Sequence, residues 1–217
     1  MKKIAIMQPY FFPHIAYYQL VKEVDLFVFY DDVNFIKRGW INRNYVTLNN
    51  NQKRRFTIPL IKSSQNKLIN EIYINWDSRE MEKLLINIRH SLKNKNIAYA
   101  LIKKILDVKP EKISDLAIMS IKTISRFLNI QTKFVQSSKQ KKIFTNGNMT
   151  KKLCDICKYN SHMHYINLIG GRNMYSKSEF RNDGVKLSFL NGVNEISILD
   201  ILDSHNKYDT INNYELI

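Results

Sequence analysis

Residues 37–44, Lys-Arg-Gly-Trp-Ile-Asn-Arg-Asn, are the densest group in the chain with side chains able to do chemistry. Lys37, Arg38 and Arg43 supply fixed positive charge. Trp40 offers a flat stacking face, and Asn42 and Asn44 each donate and accept. Gly39 lets a backbone come close. Such a set suits a phosphorylated ligand with a flat ring, a nucleotide or a nucleotide sugar. The competing reading is a basic surface strand whose Trp packs inward. Position favours function, because the segment follows a short apolar run, and ligands of open α/β sheets bind beyond the carboxyl ends of the strands.

Other residues join this set. Asp31 and Asp32 stand directly after that apolar run and could hold Mg²⁺, or one could act as a general base toward an amine. Alternatively, one caps a turn while the other pairs with Lys37 or Arg38. His14, beside Pro13 at a helix start, could touch a phosphate or move a proton; a solvent-facing cap is the alternative. Gly170-Gly171, flanked by Arg172 and Lys177, could cradle phosphate or make a plain tight turn. Cys154 and Cys157 with His162 and His164 invite a zinc reading. The separations are wrong for a zinc finger, so core packing and no metal are expected.

The elements that must position these residues follow from periodicity. Lys3–Met7 (KIAIM) reads as a buried strand stopped by Pro9. Phe12–Lys22 reads as a helix, and Asp25–Tyr30 (DLFVFY) as a second strand. Together they make a βαβ unit with a parallel pair and a right-handed crossover. Strands are expected at 54–60, 71–76, 132–136, 164–168 and 186–190, with helices at 78–93, 97–108, 114–128, 149–158 and 196–202. Residues 137–148 read as a polar loop. The expected fold class is α/β, a mostly parallel Rossmann-like sheet forming a single domain over 1–217. Residues 78–128 would be a helical insertion or subdomain. The opening strand, turn and helix are nucleotidylyltransferase-like by analogy, although Tyr17 stands where a His-x-x-His motif has its second His.

Composition narrows the classes. With 217 residues, 44% hydrophobic and 12% aromatic, the chain can bury a core and is no disordered tail. Two cysteines exclude a disulfide-stapled secreted fold. Gln8, Pro9 and Pro13 interrupt the apolar N-terminus, and no stretch of about 18 apolar residues exists, so a soluble cytoplasmic protein with no membrane span is expected. The 34 Lys+Arg against 19 Asp+Glu give a formal net charge of +15, which raises affinity for polyanions. Lys supplies 25 of the 34, a bias that an A+T-rich genome also produces. The charge therefore points less to DNA than to a phosphorylated small molecule, with tRNA as the live exception.

The blocks IAIMQPYFFPHIAYYQL, VDLFVFYDDVNFIKRGWINRN, FTIPL, SSQNKLINEI, CKYNSHMHYINLIGGRNMYSKSEFRNDGVKLSFL and ISILDIL resemble the WbqC-like protein family from end to end. The family's pattern carries over onto Gln8, Pro9, Tyr10, Phe12, Pro13, Asp31, Asp32, Lys37, Arg38, Trp40, Asn42, Arg43 and Asn44. It continues on Gln65, Asn66, Lys67, Tyr165, Asn167, Gly170, Gly171 and Tyr175. Two departures stand out: Ala16 replaces a usual Gly, and the stretch between Leu190 and Ile196 is shortened.

The resemblance implies an enzyme of bacterial O-antigen, or lipopolysaccharide, biosynthesis. Such an enzyme would be a transferase or ligase that N-acylates or aminoacylates, for example with glycine, the amine of a nucleotide-linked amino sugar. On that view Lys37, Arg38 and Arg43 hold the diphosphate and Trp40 faces the base or sugar. Asp31 or Asp32 deprotonates the ammonium, or holds Mg²⁺ if ATP first activates the acyl group as an adenylate. Aminoacyl-tRNA is the other conceivable donor. A tRNA- or nucleic-acid-binding module and a non-catalytic assembly protein of the polysaccharide pathway are the rival classes.

Overall fold

The computed structural model describes residues 1–48, 51–92, 94–140, 148–193 and 196–217. Its centre is a six-stranded sheet built from β1 (Lys3–Met7), β2 (Leu26–Phe29), β7 (Lys133–Gln136), β8 (His164–Leu168), β9 (Lys186–Asn191) and β10 (Glu215–Leu216), in the order β10-β9-β8-β1-β2-β7. All neighbours are parallel except β10, which runs antiparallel to β9. The fold is α/β with a mostly parallel central sheet. The βαβ start is present: α1 (Ile15–Glu23) connects β1 to β2, and Ile4 to Met7 register on Leu26 to Phe29.

Alternation along the strands divides the core in two, because successive side chains point to opposite sheet faces. Ala5, Phe27, Phe29 and Ile166 join α1 on one face, in a cluster that also takes in α2 (Arg79–Ser91), α3 (Asn96–Leu106) and α4 (Ile113–Phe127). Ile4, Ile6, Leu26, Val28 and Tyr165 face the other way, onto α5 (Met149–Tyr159) and Phe180 of α6 (Lys177–Asn182). Helices therefore cover both faces, as continuous apolar strands require.

Several boundaries differ from the sequence reading. Residues 43–47 form β3, which pairs antiparallel with β4 (Lys53–Thr57). The expected strand 54–60 is split at Pro59, which has no N–H to give a ladder. Leu60–Ile61 (β5) pairs instead with Tyr73–Ile74 (β6), the part of the run expected at 71–76 that forms a strand. The first helix starts at Ile15, not Phe12, because Phe12 has φ 49°. Gly170 and Gly171 lie in a 3₁₀ helix, Ile169–Met174. The short α7 (Ile198–Ile201) replaces the helix expected over 196–202, and α8 (Lys207–Asn212) and β10 follow it. Lys93, residues 141–147 of the polar loop, and residues 194–195 of the shortened stretch lie outside the described residues.

Candidate functional site

The strand order reverses between β1 and β8. From β1 the sheet grows through β2 to β7, and the chain then returns to lay β8 and β9 on the other side. Loops leaving the carboxyl ends of the two strands diverge there and open a crevice. A cavity of about 420 Å³ occupies it. Met7 at the end of β1 and Gln8 after it, Tyr30 after β2, Asn167 near the end of β8 and Gly170 after it, and Tyr10, Tyr165 and Tyr175 line it. Among the described residues its lining holds no Lys, Arg, Asp or Glu. A second cavity of about 240 Å³ lies beside it, lined by Pro13, His14, Trp40, Arg43, Asn44, Tyr45 and Ser197. His14 and Trp40 line both, so they form the shared wall.

Hydrogen bonds across long sequence separations fix that wall. The Phe12 N–H donates to Ser120 Oγ at 3.1 Å, and the Phe12 carbonyl accepts from Asn44 Nδ2 at 2.6 Å. Both bonds hold a residue whose positive φ is costly for a bulky side chain. Asn44 Oδ1 accepts from Ser197 Oγ at 3.2 Å and from the Tyr45 N–H at 2.7 Å. Phe11 N–H donates to the Trp40 carbonyl at 3.1 Å, and Ile15 N–H to the Ile196 carbonyl at 3.0 Å. Tyr17 Oη donates to the Gln8 carbonyl at 2.9 Å. Three distant segments (8–15, 40–45 and 196–197) are thereby joined into one rim.

His14 stands at the N-cap of α1 without making a side-chain cap. Its Nδ1 is buried and has no hydrogen-bond partner. Burial lowers its pKa below the usual histidine value, so the imidazole is neutral at pH 7 and keeps a free lone pair.

Arg43 projects from β3 with a buried Nε that has no partner. Burial first, then the charges of Arg55 and Arg38, push its pKa down. Among the described residues none of the three arginines forms an ion pair. The surrounding sequence deepens the imbalance: residues 33–70 carry Lys37, Arg38, Arg43, Lys53, Arg54, Arg55, Lys62 and Lys67, and no Asp or Glu. More than half of the net charge therefore belongs to one hairpin and its flanking loops, and it is not scattered evenly.

The other expected site residues divide. Gln8, Tyr10, His14, Trp40, Arg43, Asn44, Gly170, Gly171 and Tyr175 come together around the two cavities. A Cβ on Gly171 would stand 2.7 Å from Asn167 Nδ2, so a glycine is needed for the amide to lie there. Asn42 is buried in the hairpin, where its Nδ2 donates to the Ile58 carbonyl at 2.8 Å. Lys37, Arg38, Gln65, Asn66 and Lys67 are exposed and line neither cavity; the Lys67 carbonyl accepts from the Phe35 N–H at 2.9 Å.

Asp31 is buried and also outside both linings. Its carboxylate accepts from Ser137 Oγ at 3.1 Å, the Ser138 N–H at 3.0 Å and Ser138 Oγ at 2.7 Å, which ties the end of β7 to the end of β2. Asp32 is half-buried and accepts from Ser137 Oγ. After burial, its charge is the next cause raising the pKa of Tyr30, a cavity residue. Cys154 and Cys157 are buried in the α5 core, where burial pushes the Cys154 thiol up to about 11 and Cys157 further. Among the described residues no cluster of His, Cys, Asp and Glu has the arrangement to hold a metal ion, and no helix is long and apolar enough to cross a membrane.

Sequence reasoning passed over Tyr30, Ser197 and Arg55. Ser197 had a visible signal, a Ser directly before an Ile-Leu-Asp-Ile run, which is a helix N-cap pattern. Arg55 had none by itself; only strand pairing sets it opposite Tyr45, diagonal to Arg43.

The model of the WbqC-like protein family matches residues 8–204. A protein of Mycobacterium tuberculosis (strain ATCC 25618 / H37Rv), described as "Uncharacterized protein Rv1507c", is 25% identical over 193 residues, covering 87% of this chain and 82% of that protein. No solved structure matches the chain.

Proposed function

The chain belongs to the WbqC-like protein family, and on that premise we propose that it transfers an acyl or aminoacyl group onto the amine of a nucleotide-linked amino sugar of surface-polysaccharide biosynthesis. The observation that carries this reading is the pairing of an uncharged, tyrosine-rich cavity at the β1–β8 crevice with an unpaired arginine cluster, across a neutral histidine. The sugar and its amine enter the uncharged cavity, where tyrosines and the Asn167 amide offer stacking faces and hydrogen bonds. The diphosphate lies against Arg43 and Arg38, with Lys37 at the rim, because a guanidinium fork matches phosphate oxygens.

The amine must be neutral to attack a carbonyl carbon. As the C–N bond forms, the nitrogen becomes positive and has to lose a proton. His14 receives it, being neutral and having a free nitrogen at the wall that both cavities share. Asp31 is the weaker choice for this step, since its oxygens are already engaged by Ser137 and Ser138. Holding amine and acyl group at one wall supplies much of the acceleration by itself.

The test is to incubate the pure protein with dTDP-linked 4-amino sugars and either glycine with ATP or glycyl-tRNA. Mass spectrometry should show the sugar nucleotide gaining one glycyl group, and His14→Gln should abolish the gain. Absence of any product with every donor across several amino sugars, or full activity in His14→Gln, overturns the reading.

A further inference from the structure

We propose that the exposed face of the β3–β4 hairpin and the loop after it dock the acceptor end of an RNA, so that the acyl donor is an aminoacyl ester on that RNA. This rests on the transfer reading above and names its second substrate.

The charge is the first ground. A diphosphate engages two or three cations, and Arg43, Arg38 and Lys37 suffice for it. Residues 33–70 hold five more, Lys53, Arg54, Arg55, Lys62 and Lys67, all exposed. No carboxylate lies anywhere in that stretch. A surplus of this size, spread over a hairpin and a loop, matches a ligand with successive phosphates and not a small molecule.

The aromatic groups are the second ground. β3 and β4 pair so that Arg43, Tyr45, Thr47, Lys53, Arg55 and Thr57 share the face opposite the buried Val46 and Phe56. Lys53 Nζ sits 4.6 Å from the centre of the Tyr45 ring, and Trp40 packs edge-on against Tyr45 at 5.8 Å. Trp40 itself remains 45% exposed. A basic strip ending on an exposed aromatic is how single-stranded ends are held: phosphates on the cations, a base on the ring, with little sequence demand. The strip leads to Trp40 and therefore to the wall that carries His14.

The step balances without a nucleotide triphosphate. The sugar amine attacks the ester carbon, the new C–N bond forms, and the bond from that carbon to the ribose oxygen breaks. His14 takes the proton from nitrogen and returns it to the departing ribose oxygen. The products are an amide and an RNA with a free hydroxyl.

Binding is measured by fluorescence anisotropy with labelled, deacylated tRNA at several salt concentrations. The variant Lys53→Gln/Arg55→Gln is compared with Arg181→Gln/Lys186→Gln, which removes equal charge from the far end of the strands. The hairpin double should weaken tRNA binding at least tenfold and flatten the log–log salt slope by about 1.4, as loss of two single-strand phosphate contacts requires. The control double should bind as the parent does, and tRNA trimmed of its unpaired 3′ end should bind at least tenfold more weakly. No tRNA binding at low salt, equal losses in the two doubles, or equal affinity for a DNA duplex overturns the inference. Binding of a dTDP-sugar is titrated in the same proteins. If that survives while tRNA binding is absent, the RNA dock falls and the sugar-nucleotide reading stands; the reverse result removes the sugar nucleotide and keeps the dock.

Discussion

Asn44 Nδ2 donates a 2.6 Å hydrogen bond to the carbonyl of Phe12, a residue 32 positions earlier that is held at φ 49°. That bond fastens the β3 hairpin to the loop carrying His14. Asn44→Ala would leave the buried Phe12 carbonyl and Ser197 hydroxyl without their partner. A loss of about 1–3 kcal/mol in urea unfolding is expected, with a larger proportional loss of ligand binding, since both cavity walls move.

The two aspartates should separate by consequence. Asp31→Ala strips the acceptor from the Ser138 N–H and from two serine hydroxyls, that of Ser137 being buried, and should cost about 2 kcal/mol of stability. Asp32→Ala, at a half-exposed site, should cost under about 1 kcal/mol. Equal losses in chemical denaturation would contradict the tie between β2 and β7.

His14 makes stability depend on pH in a definite sense. Burial lowers its folded pKa, so the unfolded chain binds the proton more readily. Its contribution is complete above the ordinary histidine value of about 6.5 and is lost as pH falls from there through the lowered folded value. His164, also lowered by burial and then by Lys186 and Lys3, adds in the same direction. The variants His14→Gln and His164→Gln should each flatten the fall of melting temperature on acidification.

Trp40 and Trp76 are the chain's two tryptophans. Trp76 is fixed by an Nε1 bond to the Pro110 carbonyl at 2.8 Å, whereas Trp40 is exposed on the shared wall. A bound sugar nucleotide should change the emission of Trp40 alone. Trp40→Phe should remove the titration signal and leave the melting temperature within about 2 °C.

Gly171→Ala would push a methyl group into Asn167 Nδ2. The amide can swing away, so the fold should persist with a loss near 1 kcal/mol. Sugar-nucleotide affinity should fall at least fivefold by calorimetry, because the amide leaves its place in the cavity.

The buried strands were legible because runs such as KIAIM and DLFVFY are short, almost wholly apolar and bounded by breaking or polar residues. The α/β architecture followed from their spacing. The β3–β4 hairpin was not legible for an equally physical reason. Its inward positions include Asn44, which is polar, and its outward face mixes Arg43, Tyr45 and Thr47, so the hydrophobic alternation is blurred. Pro59 was the missed signal that divides β4 from β5. At the candidate site, Gln8, Tyr10, His14, Trp40, Arg43 and Asn44, singled out by residue type, lie around the two cavities. Nothing in the order of residues showed Asp31 consumed by Ser137 and Ser138, since those serines lie over a hundred positions away. The acid-free run 33–70 was in plain view, but only strand pairing puts its Arg43, Lys53 and Arg55 on one face.

The strand order also sets a schedule for assembly. β1 finds β2 within 30 residues, yet its other neighbour, β8, begins at His164. Closing that contact fixes a loop of about 160 residues, an entropic step that slows folding far more than the local helices do. Until it closes, β1 is an open edge able to recruit a foreign strand. A chain interrupted before Leu168 would keep a βαβ start and the hairpin but would have no crevice, so ligand binding should be the last property acquired as the polypeptide leaves the ribosome.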